Sequence, residues 1–351
     1  MNGEAACVVS LGAATPVGRS AWASAAAVRA GISGLAQHPF MADSVGEPMV
    51  VARAPWLDVS VSGKDRFEAL LFPAIDQALQ PLLEAPVRMR TALALALPSP
   101  RPGLGSDIPD ALLGAAKQRY EKVFSAFASF QNGHASGLIA LQAAVQRLGH
   151  DAFDACVIAG VDSNIAPDTL EWLEQNDQLH GAGRRNNAWG FVPGEASGAL
   201  LLVREKMAAK WGVSSLARIV GVGSAMEPNR IKTQTICIGE GLTLAFRNAL
   251  RAVAFGEQIT DVYCDMNGEP YRADEYGFTC LRTKEYFRAA SDFVAPADCW
   301  GDVAAASAPL CMTLAVIAGV KRYSKGSRAC VWASSEDGNR AAVILDVNRP
   351  E

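Results

Sequence analysis

Short apolar runs alternate with helical stretches along the whole chain, and that alternation limits its fold more than any other feature. Residues 6–11, 92–97, 155–160 and 198–203 read as buried strands, and 20–30, 66–83 and 137–148 read as helices between or beside them. After these come a strand at 217–222, a helix at 241–255, a strand at 262–266, a small-residue helix at 304–320, and two closing strands at 328–333 and 341–347. Such a β/α succession predicts a layered α/β architecture. The second part loosely repeats the first, so two related halves in one body are expected, with a junction near 225–235 and a division into residues 1–230 and 231–351. No short-period repeat marks a solenoid. The Pro/Gly-rich stretch 98–109 reads as a long surface loop, not a linker.

With 351 residues, 50% of them hydrophobic and 19% charged, the chain can bury one large core or two fused ones. Its net charge of −4 and scattered Lys and Arg give no basic field for nucleic acid. No apolar run reaches membrane-spanning length, and the first residues lack the basic and apolar regions of a signal peptide, so a soluble cytoplasmic protein with no membrane or nucleic-acid partner is expected. Eight cysteines sit mostly in apolar surroundings, with no C-x-x-C, and His38, His134, His150 and His180 are scattered. The reading is core thiols in a reducing compartment, without disulfide, metal or cofactor.

Three segments carry a family resemblance. Val8-Val9-Ser10-Leu11-Gly12-Ala13-Ala14-Thr15-Pro16-Val17-Gly18 is a strand running into a G-x-x-T-P-x-G turn. Ala159-Gly160-Val161-Asp162-Ser163 is a second strand and turn. Gly190-Phe191-Val192-Pro193-Gly194-Glu195-Ala196-Ser197-Gly198 is a glycine-rich run around one Glu. In order and spacing they resemble the β-ketoacyl-acyl carrier protein synthases of the thiolase-like superfamily. The resemblance implies a five-layered αβαβα fold of two related halves, with the active site between them. It also implies a homodimer joined edge to edge through a strand placed like 155–160. Further, it implies a Cys nucleophile at a helix N-terminus, two polar residues, commonly His, for the thioester carbonyl and decarboxylation, a Lys, and a Phe gate in a late glycine loop.

Carried over position by position, the pattern departs at all five places. The Cys falls on His134, in Gly133-His134-Ala135-Ser136-Gly137, a small-residue turn entering a helix. The first polar position falls on Asn267, the second on Asp302, the Lys on Ala297 and the gate on Ser335. A helix N-terminus lowers a cysteine pKa and readies a thiolate. It does nothing comparable for a histidine, whose ring it should hold neutral near pH 7.

Three readings of this set stand side by side. In the first, His134, Asn267 and Asp302 are structural filling that hydrogen-bonds across an inactive pocket. Alternatively, His134 and Asp302 form a new base and orienter in an acyltransferase or thioester hydrolase. In the third, Cys299 is a relocated nucleophile, against the plainer reading that it packs beside Trp300. Ser136 caps the helix or faces the core, Glu195 ties loops at the site floor as in the resembling family, and Asp265, Glu269, Asp274 and Glu275 read as a solvated face without a metal. The expectation is a catalytically degenerate β-ketoacyl synthase-like protein. It would bind a protein partner, an acyl chain or an acyl carrier protein; stand-alone degenerate relatives occur in bacteria, some encoded near secretion effectors.

Overall fold

The apolar runs become strands covered on both faces. In the computed structural model, which describes residues 5–85, 89–150, 152–230, 233, 235–254 and 256–350, Ala6–Ala14 and Ala155–Ser163 are buried at every position. In chain order the elements are β1 (Ala6–Ala14), α1 (Ala21–Arg29), β2 (Ala36–Ala42), β3 (Pro48–Val51), α2 (Gly63–Leu83), β4 (Thr91–Ala96), α3 (Ile108–Arg119) and β5 (Ala126–Phe130). There follow α4 (Ser136–Gly149), β6 (Ala155–Ser163), α5 (Pro167–Gln175), β7 (Glu195–Arg204), α6 (Glu205–Trp211), β8 (Ala217–Met226), α7 (Glu240–Leu250) and β9 (Asp261–Cys264). The chain closes with α8 (Pro270–Thr283), β10 (Phe293–Val294), α9 (Ala297–Trp300), α10 (Ser307–Val320), β11 (Arg328–Ser334) and β12 (Asn339–Val347). The expected end of the helix at 255 lies outside the described residues, as does residue 231 at the expected boundary.

Strand pairing shows the duplication. The order β5-β4-β6-β7-β1 repeats as β10-β9-β11-β12-β8, and the two sets join through β1 and β8 into one ten-stranded sheet. In each set the last strand in sequence, β7 or β12, runs antiparallel to both neighbours, while the strands beyond it pair in parallel. On this order the second set opens with β8. The division therefore falls before that strand, ahead of the boundary at 230 that the sequence suggested after it.

Two helices lie between the halves. α4 and α10 pack on each other and on strands of both sets, α2 covers the outer face of the first and α7 that of the second. The layers are thus helix, sheet, helix, sheet, helix. α10 is apolar all round and buried from Ser307 to Gly319, as a sandwiched helix must be. Gly137 lets α4 approach it: an added Cβ would stand 2.6 Å from Pro309 Cδ and 3.0 Å from Ala308 Cβ.

The expected dimer strand is placed otherwise. β6 is interior, paired with β4 on one side and β7 on the other, so residues 155–160 offer no edge; at that end of the sheet the edge is β5. Among the described residues no helix is long and apolar enough to cross a membrane. All eight cysteines are free thiols and six are buried. Burial pushes Cys7 up to about 11 and Cys156 to about 12.

Candidate active site

The head of α4 enters through a single 3₁₀ turn, Gly133–Ala135, whose glycine takes φ +58°. That turn delivers His134 into the space between the halves, where it is 9% exposed. Asp302 comes from the segment between α9 and α10, and Asn267 from the turn after β9. The three residues, far apart in sequence, meet. His134 Nε2 lies 2.8 and 3.0 Å from the two Asp302 oxygens, and Asn267 Nδ2 donates to Asp302 Oδ2 at 2.6 Å. The Ala304 amide donates to Asp302 Oδ1 at 2.9 Å, fixing the carboxylate from behind. Two carboxylate oxygens on one ring nitrogen make Nε2 a donor.

A fourth member escaped the sequence reading. Arg272, on α8 and 1% exposed, places Nη2 3.3 Å from His134 Nε2, and its Nη1 donates to Asp265 Oδ2 at 2.9 Å and to the Ser334 carbonyl at 2.8 Å. Its Nε faces Glu269 Oε2 at 3.6 Å. Asp265, Glu269 and Glu275, expected on a solvated face, are buried; only Asp274 of that group is exposed. The missed signal was Arg272 itself, the one cation in a stretch with four acids, buried as the partner of two of them, Asp265 and Glu269.

Charge balance decides the state of His134. Asp265, Glu269 and Asp302 face Arg272 and His134, so a protonated ring leaves the buried group closer to neutral than a neutral ring does. Burial by itself would lower the imidazole pKa, and Arg272 opposes protonation too, but the Asp302 charge and hydrogen bond together with the Asp265 charge outweigh them, and the net shift is upward. The helix N-terminus, expected to hold the ring neutral, is the weaker influence beside a carboxylate at 2.8 Å. For Asp302, burial would raise the pKa; the His134 charge and hydrogen bond, Arg272 and Asn267 overcome it and hold the carboxyl well below its usual range.

The remaining sequence candidates have structural roles. Ser335 Oγ accepts from the Ala135 amide at 2.8 Å and donates to the Asn132 carbonyl, locking the late loop onto the turn that carries His134. Ser136 Oγ accepts from the Asn132 amide at 2.6 Å. Ala297 lies at the start of α9 and brings no charge. Cys299 is buried and its thiol is pushed up by burial, the wrong direction for a nucleophile. Glu195, fully buried, takes a two-pronged ion pair from Arg66 at 2.6 and 2.7 Å, the Ser163 hydroxyl at 2.9 Å and the Ala54 amide at 2.8 Å, so it ties three segments together. Beside the network a cavity of about 260 Å³ opens, lined by His134, Asp302 and Arg101 among others. Among the described residues Glu227, Cys237 and Glu275 group closely enough to suggest a metal, but the Arg340 guanidinium is hydrogen-bonded to Glu275 there.

Comparison with known proteins agrees with this architecture. A family model for the β-ketoacyl synthase N-terminal domain matches residues 129–208, from β5 through β7. A solved structure described as a type II PKS acyl-carrier protein in complex with its ketosynthase bound to the hexaketide superposes with a TM-score of 0.80. It is 14% identical over 99% of this chain and 100% of the other. The ishigamide ketosynthase/chain length factor gives a TM-score of 0.71 at 20% identity, over 98% and 99%. A ketosynthase from module 6 of the bacillaene synthase of Bacillus subtilis 168 gives 0.73 at 15%, over 99% and 71%. No curated protein matches the chain. At these identities the likeness to the solved structures is one of fold. The chain has the thiolase-like fold of these ketosynthases, and its residues 129–208 resemble the β-ketoacyl synthase N-terminal domain.

Proposed function

We propose that this chain is a ketosynthase-like protein that no longer condenses acyl groups and acts by binding, as an accessory subunit to another protein. The observation that carries this reading is the closed ion network at the head of α4, in which Asp302, Asn267 and Arg272 surround His134. Condensation needs a nucleophile that holds an acyl group while a second substrate arrives. Among the described residues no hydroxyl or thiol hydrogen-bonds to His134, and its Nε2 is itself engaged with Asp302. The nearby Ser136 and Ser335 hydroxyls are engaged with backbone.

The structural neighbours suggest the partner: one is an acyl-carrier protein in complex with its ketosynthase, another a ketosynthase/chain length factor. Either an acyl carrier protein or a second ketosynthase-like chain suits the reading. A homodimer would form through β5, whose sequence Ala-Phe-Ala-Ser-Phe has no charge or proline to blunt an edge. Free buried thiols support a reducing bacterial cytoplasm.

A second reading, thioester hydrolysis through His134, draws support from the Asp302 contact, which has the geometry of a base and its orienter. One experiment separates the two. The protein is incubated with acetyl- and malonyl-thioesters of CoA and of an acyl carrier protein, followed by intact-mass analysis and thiol release. The binding reading expects no adduct and no thiol. Condensation by the unmodified protein overturns it, and hydrolysis that disappears in His134→Ala replaces it with the second.

A further inference from the structure

Arg101, in the segment between β4 and α3, is an unusual wall residue for the cavity beside His134. Its side chain is only 10% exposed. Nη2 donates to Asp162 Oδ1 at 2.5 Å and to the Ser163 carbonyl at 2.8 Å, whereas Nε is buried with no hydrogen-bond partner. Nη1 makes no hydrogen bond among the described residues. Leaving N–H groups of a buried guanidinium unmatched is costly, so such a residue marks a place for an acceptor. His134 adds a second donor. Nε2 is taken up by Asp302, while Nδ1 has no partner among the described residues and in the cationic form of the ring is a further N–H.

Charge narrows the ligand further. Arg101 and His134 each already face a buried carboxylate, Asp162 and Asp302, and Glu336 and Asp337 add two acids at the cavity. A ligand carboxylate would enter against an excess of acids. A ligand ammonium would meet Arg101 and His134, which offer only donors. An uncharged oxygen acceptor meets neither objection. Trp172, Leu173 and Phe191 form the apolar part of the wall. About 150 Å³ holds a benzene, so a cavity of about 260 Å³ takes roughly ten non-hydrogen atoms.

We propose that this cavity binds a small uncharged carbonyl compound, an amide or ester with an aryl or alkyl body, its carbonyl oxygen on Arg101 and His134 and its body against Trp172 and Phe191. The proposal rests on the reading of the site as binding and non-condensing. It requires no covalent step.

Calorimetric titration of the purified protein with phenylacetamide, phenylacetate and phenethylamine tests it, since the three share a body and differ in charge. Phenylacetamide should bind with a Kd of roughly a few millimolar or tighter, as expected for about ten atoms, and the two charged probes at least about fivefold more weakly. Arg101→Met should weaken phenylacetamide about tenfold. The double variant Arg101→Met/Asp162→Asn, which leaves no lone buried charge, should do the same and guards against a fold defect in the single one. Tighter binding of the acid or the amine, or no binding of any probe, overturns the proposal. Thiol release from acyl-CoA would instead overturn the binding reading on which the proposal rests. An inert protein that ignores all three probes removes only the ligand.

Discussion

Replacing Asp302 by Asn should destabilise the protein in a pH-dependent way that reports the charge of His134. The substitution keeps the shape of the side chain and removes the counter-charge from a ring 2.8 Å away, with Arg272 Nη2 3.3 Å behind it. Breaking a buried ion pair from one side costs about 3–5 kcal/mol. At about 2.1 cal/mol/K of unfolding entropy per residue, a chain of this length loses about 4–7 °C in Tm for that cost. The sign follows from the two shifts. His134 is raised above 6.5, so its contribution is complete below 6.5 and is lost as pH rises through the folded-state value. Asp302 is lowered below 3.8, so its contribution is present above 3.8 and is lost as pH falls through its folded-state value. The pair therefore contributes most between pH 3.8 and 6.5. Thermal melts of wild type and variant at fixed scan rate should differ most near pH 5–6 and by progressively less as pH rises through the folded-state value of His134. A gap that does not narrow with rising pH would refute the charge-balance account of the site.

His134→Cys should produce a thiol at the head of α4 beside Arg272 that iodoacetamide labels faster than any native cysteine in a mass-resolved time course, since burial raises the native thiols. Condensation should stay absent because Asn267, Asp302 and Ala297 supply neither paired imidazoles nor a lysine. Gly137→Val should cost about 1–3 kcal/mol in urea unfolding, because its Cβ would overlap Pro309 of α10; a wild-type midpoint would mean the two central helices are not so close. Ala128→Lys, in the exposed middle of β5, should shift light scattering from dimer to monomer without lowering Tm, whereas a wild type that is monomeric at micromolar concentration removes the dimer itself.

The parts of this fold that were legible in sequence share one property: their residues are apolar on two faces. β1, β6, β7, β12 and α10 are buried almost throughout, and hydrophobic runs of their lengths have few other uses. The elements that escaped have mixed surroundings. The hairpin of β2 and β3 carries Pro39, Pro48 and an exposed Phe40, and reads as loop. β5 is half-buried along its length, so no apolar run announced it, and the dimer edge was assigned to the more apolar β6 instead. α8 is rich in charge, and its buried side shows only through pairing, Arg272 with Asp265 and Arg340 with Glu275. Periodicity cannot announce a helix that is buried by ion pairs. For the same reason the site was half legible: position in a resembling pattern located His134, Asn267 and Asp302, while the cation that sets their charge state lay in a helix with no pattern to match.

The same pairing explains why no single substitution should return this site to acyl chemistry. A thiolate at position 134 would replace a cation with an anion beside Asp302, in a pocket that already holds Asp265 and Glu269 against one Arg272. Like-charge repulsion then works against the helix N-terminus and Arg272, so the thiol is more reactive than the buried native ones yet falls short of the thiolate that condensation needs. Removing Asp302 as well relieves the repulsion, but it frees Asn267 and the Ala304 amide from their common acceptor and loosens the segment that enters α10. Ser335 meanwhile keeps the late loop bound to Asn132 and the Ala135 amide, across the approach to the turn. Position 134, the acid at 302 and the clamp at 335 are thus coupled through shared hydrogen bonds, and their effects will not add. Reversal requires them together with a base at 267. A network in which each change is unfavourable until the others are made resists stepwise conversion to a condensing site, in keeping with the binding role proposed above.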